Sequence, residues 1–177
     1  MSEVVGRDHS VDPDNRQVKP VALRLWDRRS TFAPFAVAGA VGVIAGGLLA
    51  AAIAAPAPTR HGVWSAAYLV LVLGAGQIIL GAGQALLSAT PPAERKVAIT
   101  ALAYNTANIA ILVGIVTGHL IVFDAGAVLL LVALVLFLHG VRHGARRGWP
   151  LYVYRLFIAI LVVSIPIGLL ITTAGAK

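Results

Sequence analysis

Two histidines near the end of an apolar segment are the first residues whose spacing could do chemistry. His139 and His143 are four residues apart, which places both side chains on one face of a helix, a spacing that can hold a metal ion. The neighbouring Arg142 repels cations, and no third ligand is close in the sequence. A basic cluster at the membrane interface is therefore the favoured interpretation, and a metal site is the alternative.

A second candidate metal site combines two histidines and one carboxylate from separate loops: His61, His119 and Asp124. A haem with two axial histidines needs both at similar depth, whereas His119 and His139 are predicted at opposite ends of helices; His119 with His61 is the pair that stays open. With 0 cysteines there are no thiolate ligands or cysteine nucleophiles, and no nucleotide-binding or hydrolase motif occurs. We predict no cofactor and no catalytic residue, which favours a protein that is not an enzyme.

The pentapeptide LGAGQ occurs twice, at residues 73–77 and 80–84, within an otherwise apolar segment. Seven residues make nearly two helical turns, so Gln77 and Gln84 share one stripe with the first glycine of each copy. The second glycine of each copy lies on nearly the opposite side. Small residues let helices approach closely, and carboxamides can form hydrogen bonds between helices. The repeat therefore predicts two packing faces on one central helix.

Asn105 and Asn108 give the next apolar segment a polar face of its own. Positions along the segments place Gln77 and Asn108 at similar depth, so the four amides are expected to form a ladder between antiparallel neighbours. Such bonds contribute about 0.6 kcal/mol each. A structural ladder is favoured; the alternatives are a polar lining for a small solute, water or a cofactor edge, and an interface with another subunit.

The composition shows which environment these side chains occupy. Of 177 residues, 59% are hydrophobic and only 12% are charged, whereas a soluble domain has about a quarter charged. Five segments reach the length of about 20 apolar residues that crosses a bilayer: residues 32–55, 64–88, 98–118, 121–141 and 150–172. Because lipid cannot satisfy backbone polar groups, we predict an all-α bundle of five transmembrane helices with short loops.

Small residues also form stripes on the first and third of these predicted spans. They are Ala38, Gly42, Ala45 and Ala52 on the first, and Ala103, Ala107, Ala110, Gly114 and Gly118 on the third. Both stripes predict close helix packing, and so does the spacing of Gly42 and Gly46 on the first span. Gly118 is expected to separate the third span from the fourth, with Asp124 capping the fourth.

The distribution of positive charge predicts the orientation. Most of the 14 Lys and Arg residues fall on one side, before the first span and in the loops after the second and fourth. The positive-inside rule places the N-terminus in the cytoplasm and the C-terminus outside. Lipid orientation also explains the net charge of +7 without a nucleic-acid partner. The membrane is predicted to be the cytoplasmic one, and the composition resembles that of short membrane proteins of high-GC bacteria.

Three domains follow from this orientation. Residues 1–31 form a polar, basic cytoplasmic tail with an interfacial helix as one option, residues 32–172 form the bundle, and residues 173–177 form a short external tail. Trp26, Trp149 and Arg155 are predicted to anchor the inner boundary in lipid, with a ligand-binding charge as the alternative for Arg155. The first span is longer than the core of a signal peptide, so we expect it to be retained, with cleavage near residue 57 as the alternative.

The predicted function is that of a small accessory or scaffold subunit in a larger membrane complex. Small-residue faces, short loops and the scarcity of ionisable groups within the spans favour this hypothesis. The expected partners are the lipid bilayer and either other membrane subunits or further copies of this chain. An oligomeric channel or carrier for a small neutral or apolar solute is the first alternative, and a quinone- or haem-associated redox subunit is the second.

Overall fold

The structure is a computed structural model that describes residues 19–54, 59–142 and 148–174, without the side chains of residues 60, 61 and 165–174. The described residues contain helices and no strand. The helices are α1 (Val21–Asp27), α2 (Arg29–Ile53), α3 (Arg60–Tyr68), a π-helical segment (Leu69–Gly76), α4 (Gln77–Leu87), α5 (Glu94–Thr117), α6 (Leu120–Gly140) and α7 (Trp149–Ala174).

Four helical stretches are long and apolar enough to cross a membrane: Arg29–Ile53, Gly62–Leu87, Glu94–Thr117 and Leu120–Gly140. The shorter apolar stretch Trp149–Ser164 belongs to α7, which continues to Ala174. The all-α prediction is therefore confirmed, with four to five helices that could span a bilayer. The observed helices begin a few residues before the predicted spans, because their first turns include polar residues such as Arg29 and Glu94.

Helix pairing differs from the sequence-based expectation. The stretch from α3 to α4 makes its most extensive contacts with α2, and α5 makes its most extensive contacts with α6. The sequence predicts instead that the second span, which corresponds to α3–α4, pairs with the third span, which corresponds to α5. The core joins these pairs through Phe35, Tyr104 and Phe137, all fully buried. The Phe137 ring lies 5.1 Å from that of Phe35 and 5.8 Å from that of Tyr104, between centroids.

The packing face of α2 consists of Gly39, Gly42 and Gly46, all buried. An ideal Cβ at Gly42 would lie 3.0 Å from the Gly74 backbone nitrogen, and one at Gly46 would lie 2.9 Å from the Ala66 carbonyl oxygen. The predicted stripe contained Gly42 but was placed wrongly around it: Ala52 is exposed, and Ala38 and Ala45 are only half-buried. Close packing at Gly42 and Gly46, predicted from their spacing, is confirmed, because backbone meets backbone at both glycines.

Helices α5 and α6 form a tight hairpin. Gly118 ends α5 in the left-handed conformation, with φ of 72°, which glycine adopts without steric cost. Helix α6 then starts at Leu120 directly after the turn, with His119 as its N-cap residue and no side-chain cap. The expected cap, Asp124, is wrong, since this residue lies beyond the first turn and is exposed.

One end of the bundle is joined by hydrogen bonds between loops and helix ends. The Arg28 guanidinium donates from Nη1 to the carbonyl oxygens of Ala85, at 3.0 Å, and Ser88, at 2.7 Å. The Ser88 hydroxyl donates to the Gln84 carbonyl oxygen at 2.6 Å, and the Gly140 carbonyl oxygen lies 3.0 Å from the same hydroxyl. The start of α2 and the ends of α4 and α6 therefore meet at this end, and the guanidinium satisfies carbonyls that α4 leaves without helical partners.

Candidate functional site

The four amides predicted on a polar face lie at different depths of burial. Gln77, Gln84 and Asn108 are almost wholly buried, at 0%, 3% and 1% exposure, and Asn105 is half-buried. Gln77 follows directly after the π-helical segment, and Gln84 lies two turns further along α4. Both asparagines belong to α5.

The asparagines form hydrogen bonds mainly within their own helix. Asn105 Nδ2 donates to the Ala101 carbonyl at 2.8 Å, and Asn108 Nδ2 donates to the Tyr104 carbonyl at 2.7 Å. Asn108 Oδ1 accepts from the Tyr68 hydroxyl at 2.6 Å, which links α5 to α3. No amide donates to another amide among the described residues, so the expected ladder is absent. Each asparagine side chain can reach the backbone carbonyl one turn earlier on its own helix. This local acceptor competes with acceptors on neighbouring helices for the amide N–H groups.

The glutamines have fewer partners. Neither Nε2 nor Oε1 of Gln77 has a hydrogen-bond partner in the described part of the chain, and the Oε1 of Gln84 also has none. Gln84 packs against the end of α6, where a Cβ at Gly140 would lie 2.6 Å from its Nε2. Buried polar groups without partners are rare in folded proteins, so Gln77 is an exception that calls for a functional or structural explanation.

The two copies of LGAGQ present their glycines to different neighbours. Gly74 and Gly81 face α2, where a Cβ at Gly74 would lie 2.6 Å from Val43 Cγ2 and one at Gly81 would clash with Phe35. Gly76 and Gly83 face two tyrosines instead, with the Tyr104 hydroxyl 3.4 Å from a Cβ at position 76 and the Tyr154 ring against position 83. The prediction of two packing faces is confirmed.

Two tyrosines that sequence reasoning missed complete this arrangement. The Tyr104 hydroxyl donates to the Val72 carbonyl at 2.8 Å, and the Tyr154 hydroxyl donates to the Leu80 carbonyl at 3.1 Å. The available signal was a tyrosine within each of two apolar segments, since a buried hydroxyl needs an acceptor. Each tyrosine therefore ties its helix to the backbone of the glycine-rich stretch.

The π-helical segment carries one of these acceptors. In a π-helix the backbone N–H of residue i+5 donates to the carbonyl oxygen of residue i. Such turns are rare in proteins, but many of those that occur are at functional sites. The Val72 carbonyl lies within this segment and accepts the Tyr104 hydroxyl. The segment therefore combines an uncommon backbone geometry, a side-chain hydrogen bond and, at its end, the buried Gln77.

A cavity of about 290 Å³ opens between the helices next to the Tyr68–Asn108 hydrogen bond. Its walls are mostly aromatic and aliphatic: Trp64, Tyr68, Val72, Tyr104, Ile111, Phe123, Ala127, Leu130, Leu134, Leu161 and Ser164. The Trp64 and Tyr68 rings stack at a centroid distance of 4.9 Å. None of the four predicted amides lines this cavity, which suits a small apolar molecule. Gln84 instead lines a second cavity, of about 500 Å³, with Thr90, Lys96 and His139.

The metal candidates that the structure describes lie at two opposite ends of α6. His119, the N-cap residue of α6, and Asp124, in the second turn of that helix, are exposed at its start, and His139 is exposed near the opposite end. No group of three potential metal ligands occurs in residues 19–54, 59–142 and 148–174. His143 and the side chain of His61 lie outside the described part of the chain.

The predicted lipid anchors are all exposed. Trp26 lies on α1, none of whose residues is buried, and its ring is 5.6 Å from the Arg29 guanidinium carbon. Trp149 begins α7, and Arg155 follows it on the same helix. Their exposure leaves each side chain accessible to a surrounding solvent or lipid.

The chain matches no family model, no curated protein and no solved structure.

Proposed function

We propose that this protein is a small accessory or scaffold subunit of a larger assembly in the cytoplasmic membrane. The observation that carries the proposal is the outward surface of α2. Of the 18 residues that form its most apolar part, only 17% are buried, whereas 33% to 39% are buried in the other three long apolar stretches. One face of α2 is used by the glycine contact with the π-helical segment, and the other has no neighbour among the described residues.

That outward surface carries small residues among large apolar ones such as Ile44 and Leu48. Ala33, Ala40 and Gly47 recur at intervals of seven residues, and all three are exposed. A Cβ at Gly47 would meet nothing within 4 Å. Small residues at heptad spacing allow a second helix to approach, whereas lipid chains make no such demand. The proposed partner is therefore a transmembrane helix of another subunit.

The arrangement of basic residues supports the proposed orientation. The hydrogen bonds of Arg28 and Ser88 bring the start of α2 and the ends of α4 and α6 together. Lys96 near the start of α5 and Arg142 after α6 belong to the same end of the bundle. A positive end corresponds to the cytoplasmic side, so the proposal places the N-terminus in the cytoplasm and the C-terminus outside.

Gly47→Leu is expected to remove a bound partner without unfolding this chain. The leucine would occupy the space that a partner helix needs, while the open surroundings of position 47 leave the fold intact. Native mass analysis after mild-detergent purification should show a stoichiometric foreign subunit with the unsubstituted chain and at least about tenfold less with the variant. Val132→Leu, on the exposed surface of α6, is the matched control. Recovery of this chain alone or as a pure homo-oligomer would contradict the proposal.

A second candidate function, carriage of a small apolar solute, is favoured by the cavity beside Tyr68. Ala127 lines this cavity and is 1% exposed. Ala127→Leu is expected to fill part of the space and to lower solute flux into liposomes that contain only this chain, by about tenfold. Thermal unfolding measured in parallel separates lost flux from lost fold. Flux that is absent in the unsubstituted chain, or unchanged in the folded variant, would exclude this function.

A further inference from the structure

An open groove of about 650 Å³ runs between α6 and α7 on the surface of the bundle. Helix α6 contributes Val135 and Leu138 to its walls, and α7 contributes Ile158 and Val162. Beneath it, the two helices pack through buried residues that include Phe137 and Tyr154. The groove is thus an open apolar depression between two helices, and core residues close it from below.

Three basic side chains lie at one end of this groove. His139 and Arg142 come from the end of α6, and Arg155 comes from α7. All three are exposed, and none of their side chains forms a hydrogen bond or ion pair in the described part of the chain. Among the residues that the structure describes, no Asp or Glu lines the groove. The cluster therefore attracts a negative charge that the described residues do not supply there.

The groove has basic residues at one end and apolar residues along the rest, which matches the charged head group and apolar acyl chains of a phospholipid. Val135 lies one turn of α6 before His139, and Ile158 and Val162 lie one and two turns of α7 after Arg155. Trp149 and Tyr152 are exposed at the start of α7 and mark the interface. Arg155 lies about 9 Å beyond Trp149 along the helix axis. From that depth its long side chain can extend back to a phosphate at the interface.

We propose that the groove between α6 and α7 is a binding site for an anionic phospholipid, whose phosphate is held by Arg142, Arg155 and His139. The acyl chain lies along Val135, Leu138, Ala159 and Val162, above the buried Ile158. Arginine binds phosphate through paired N–H groups, and basic pockets between helices on the cytoplasmic side are suited to anionic head groups. This inference rests on the proposed membrane localisation but not on a partner subunit.

The test uses the full chain, delipidated in mild detergent, and measures lipid binding by native mass analysis. Phosphatidylglycerol and phosphatidylcholine with identical acyl chains are the probes. We expect phosphatidylglycerol to bind at least about tenfold more tightly, and Arg142→Gln and Arg155→Gln each to weaken it by about fivefold. Arg95→Gln, an exposed arginine outside the groove, is the matched control and should change nothing.

A further variant tests the apolar part of the site. Ala159 lines the groove and is exposed, so Ala159→Trp narrows the groove without entering the core. It should weaken phosphatidylglycerol binding while circular dichroism and thermal unfolding remain unchanged. Equal binding of the two lipids, or an equal loss with Arg95→Gln, would overturn the proposal, because either result indicates diffuse surface charge. Capture of an acidic protein with no lipid bound would overturn it as well.

Discussion

The Gly114→Leu variant is expected to lose about 3 kcal/mol of unfolding free energy, because two backbones meet at this glycine. A Cβ at position 114 would lie 2.5 Å from the Phe123 backbone nitrogen and 2.7 Å from its Cα. Backbone atoms cannot move aside as the end of a flexible side chain can, so α5 and α6 must separate. Loss of helical circular dichroism with temperature or denaturant in mild detergent measures the effect.

Gly47→Leu provides the matched control for this prediction, since the substitution is the same and also lies within a helix. Position 47 has nothing within 4 Å of an ideal Cβ, and leucine has the higher helix propensity by about 0.5 to 1 kcal/mol. The control is therefore expected to unfold at the same or a slightly higher temperature. Equal destabilisation of both variants would show that the hairpin does not depend on close backbone contact at Gly114.

Helix positions were predictable from the sequence because they depend on local properties. The length of an apolar run and the absence of charge within it identify a helix that could span a bilayer, whatever its neighbours are. The two faces of the LGAGQ repeat were predictable for a similar reason, since helical geometry fixes which glycines share a side. In the structure, Gly74 and Gly81 indeed share one neighbour, α2.

The pairing of helices was not predictable, because several faces have the same composition. By composition alone, Gly74 could pack against the glycines of α2 or against the alanines of α5. The three-dimensional packing places it against α2. The π-helical segment also changes the angular position of residues after Leu69, which a constant 100° per residue does not capture. Convergence of side chains from several helices on the cavity beside Tyr68 is likewise invisible in a linear sequence.

The amides illustrate the difference between burial and hydrogen bonding. An apolar sequence context predicts that an amide avoids lipid, but the acceptor that it selects depends on local geometry. Asn105 and Asn108 lie one turn after carbonyls that they can reach, so they donate within α5. The same sequence pattern is therefore compatible with a ladder between helices or with hydrogen bonds along one helix.

Two buried amides of similar chemistry are expected to respond to leucine in opposite directions. Asn108 forms hydrogen bonds through both side-chain atoms, whereas Gln77 forms none in the described part of the chain. Asn108→Leu should lower the unfolding free energy by about 2 kcal/mol, since it leaves the Tyr68 hydroxyl without its acceptor. Gln77→Leu should raise the unfolding free energy by about 1 kcal/mol, since it removes a buried polar group that lacks a partner. Denaturant unfolding in mild detergent measures both.

A double substitution separates the hydrogen bond from side-chain packing. In the Asn108→Leu, Tyr68→Phe variant neither partner remains polar, so most of the lost stability should return, as expected when both groups of a buried pair are replaced. Tyr68→Phe alone should cost less than Asn108→Leu, because the amide keeps its bond to the Tyr104 carbonyl. If Gln77→Leu proves destabilising instead, the Gln77 amide must have a ligand, such as a water molecule, that its burial holds in place. That result would direct attention to the end of the π-helical segment as a polar site within the bundle.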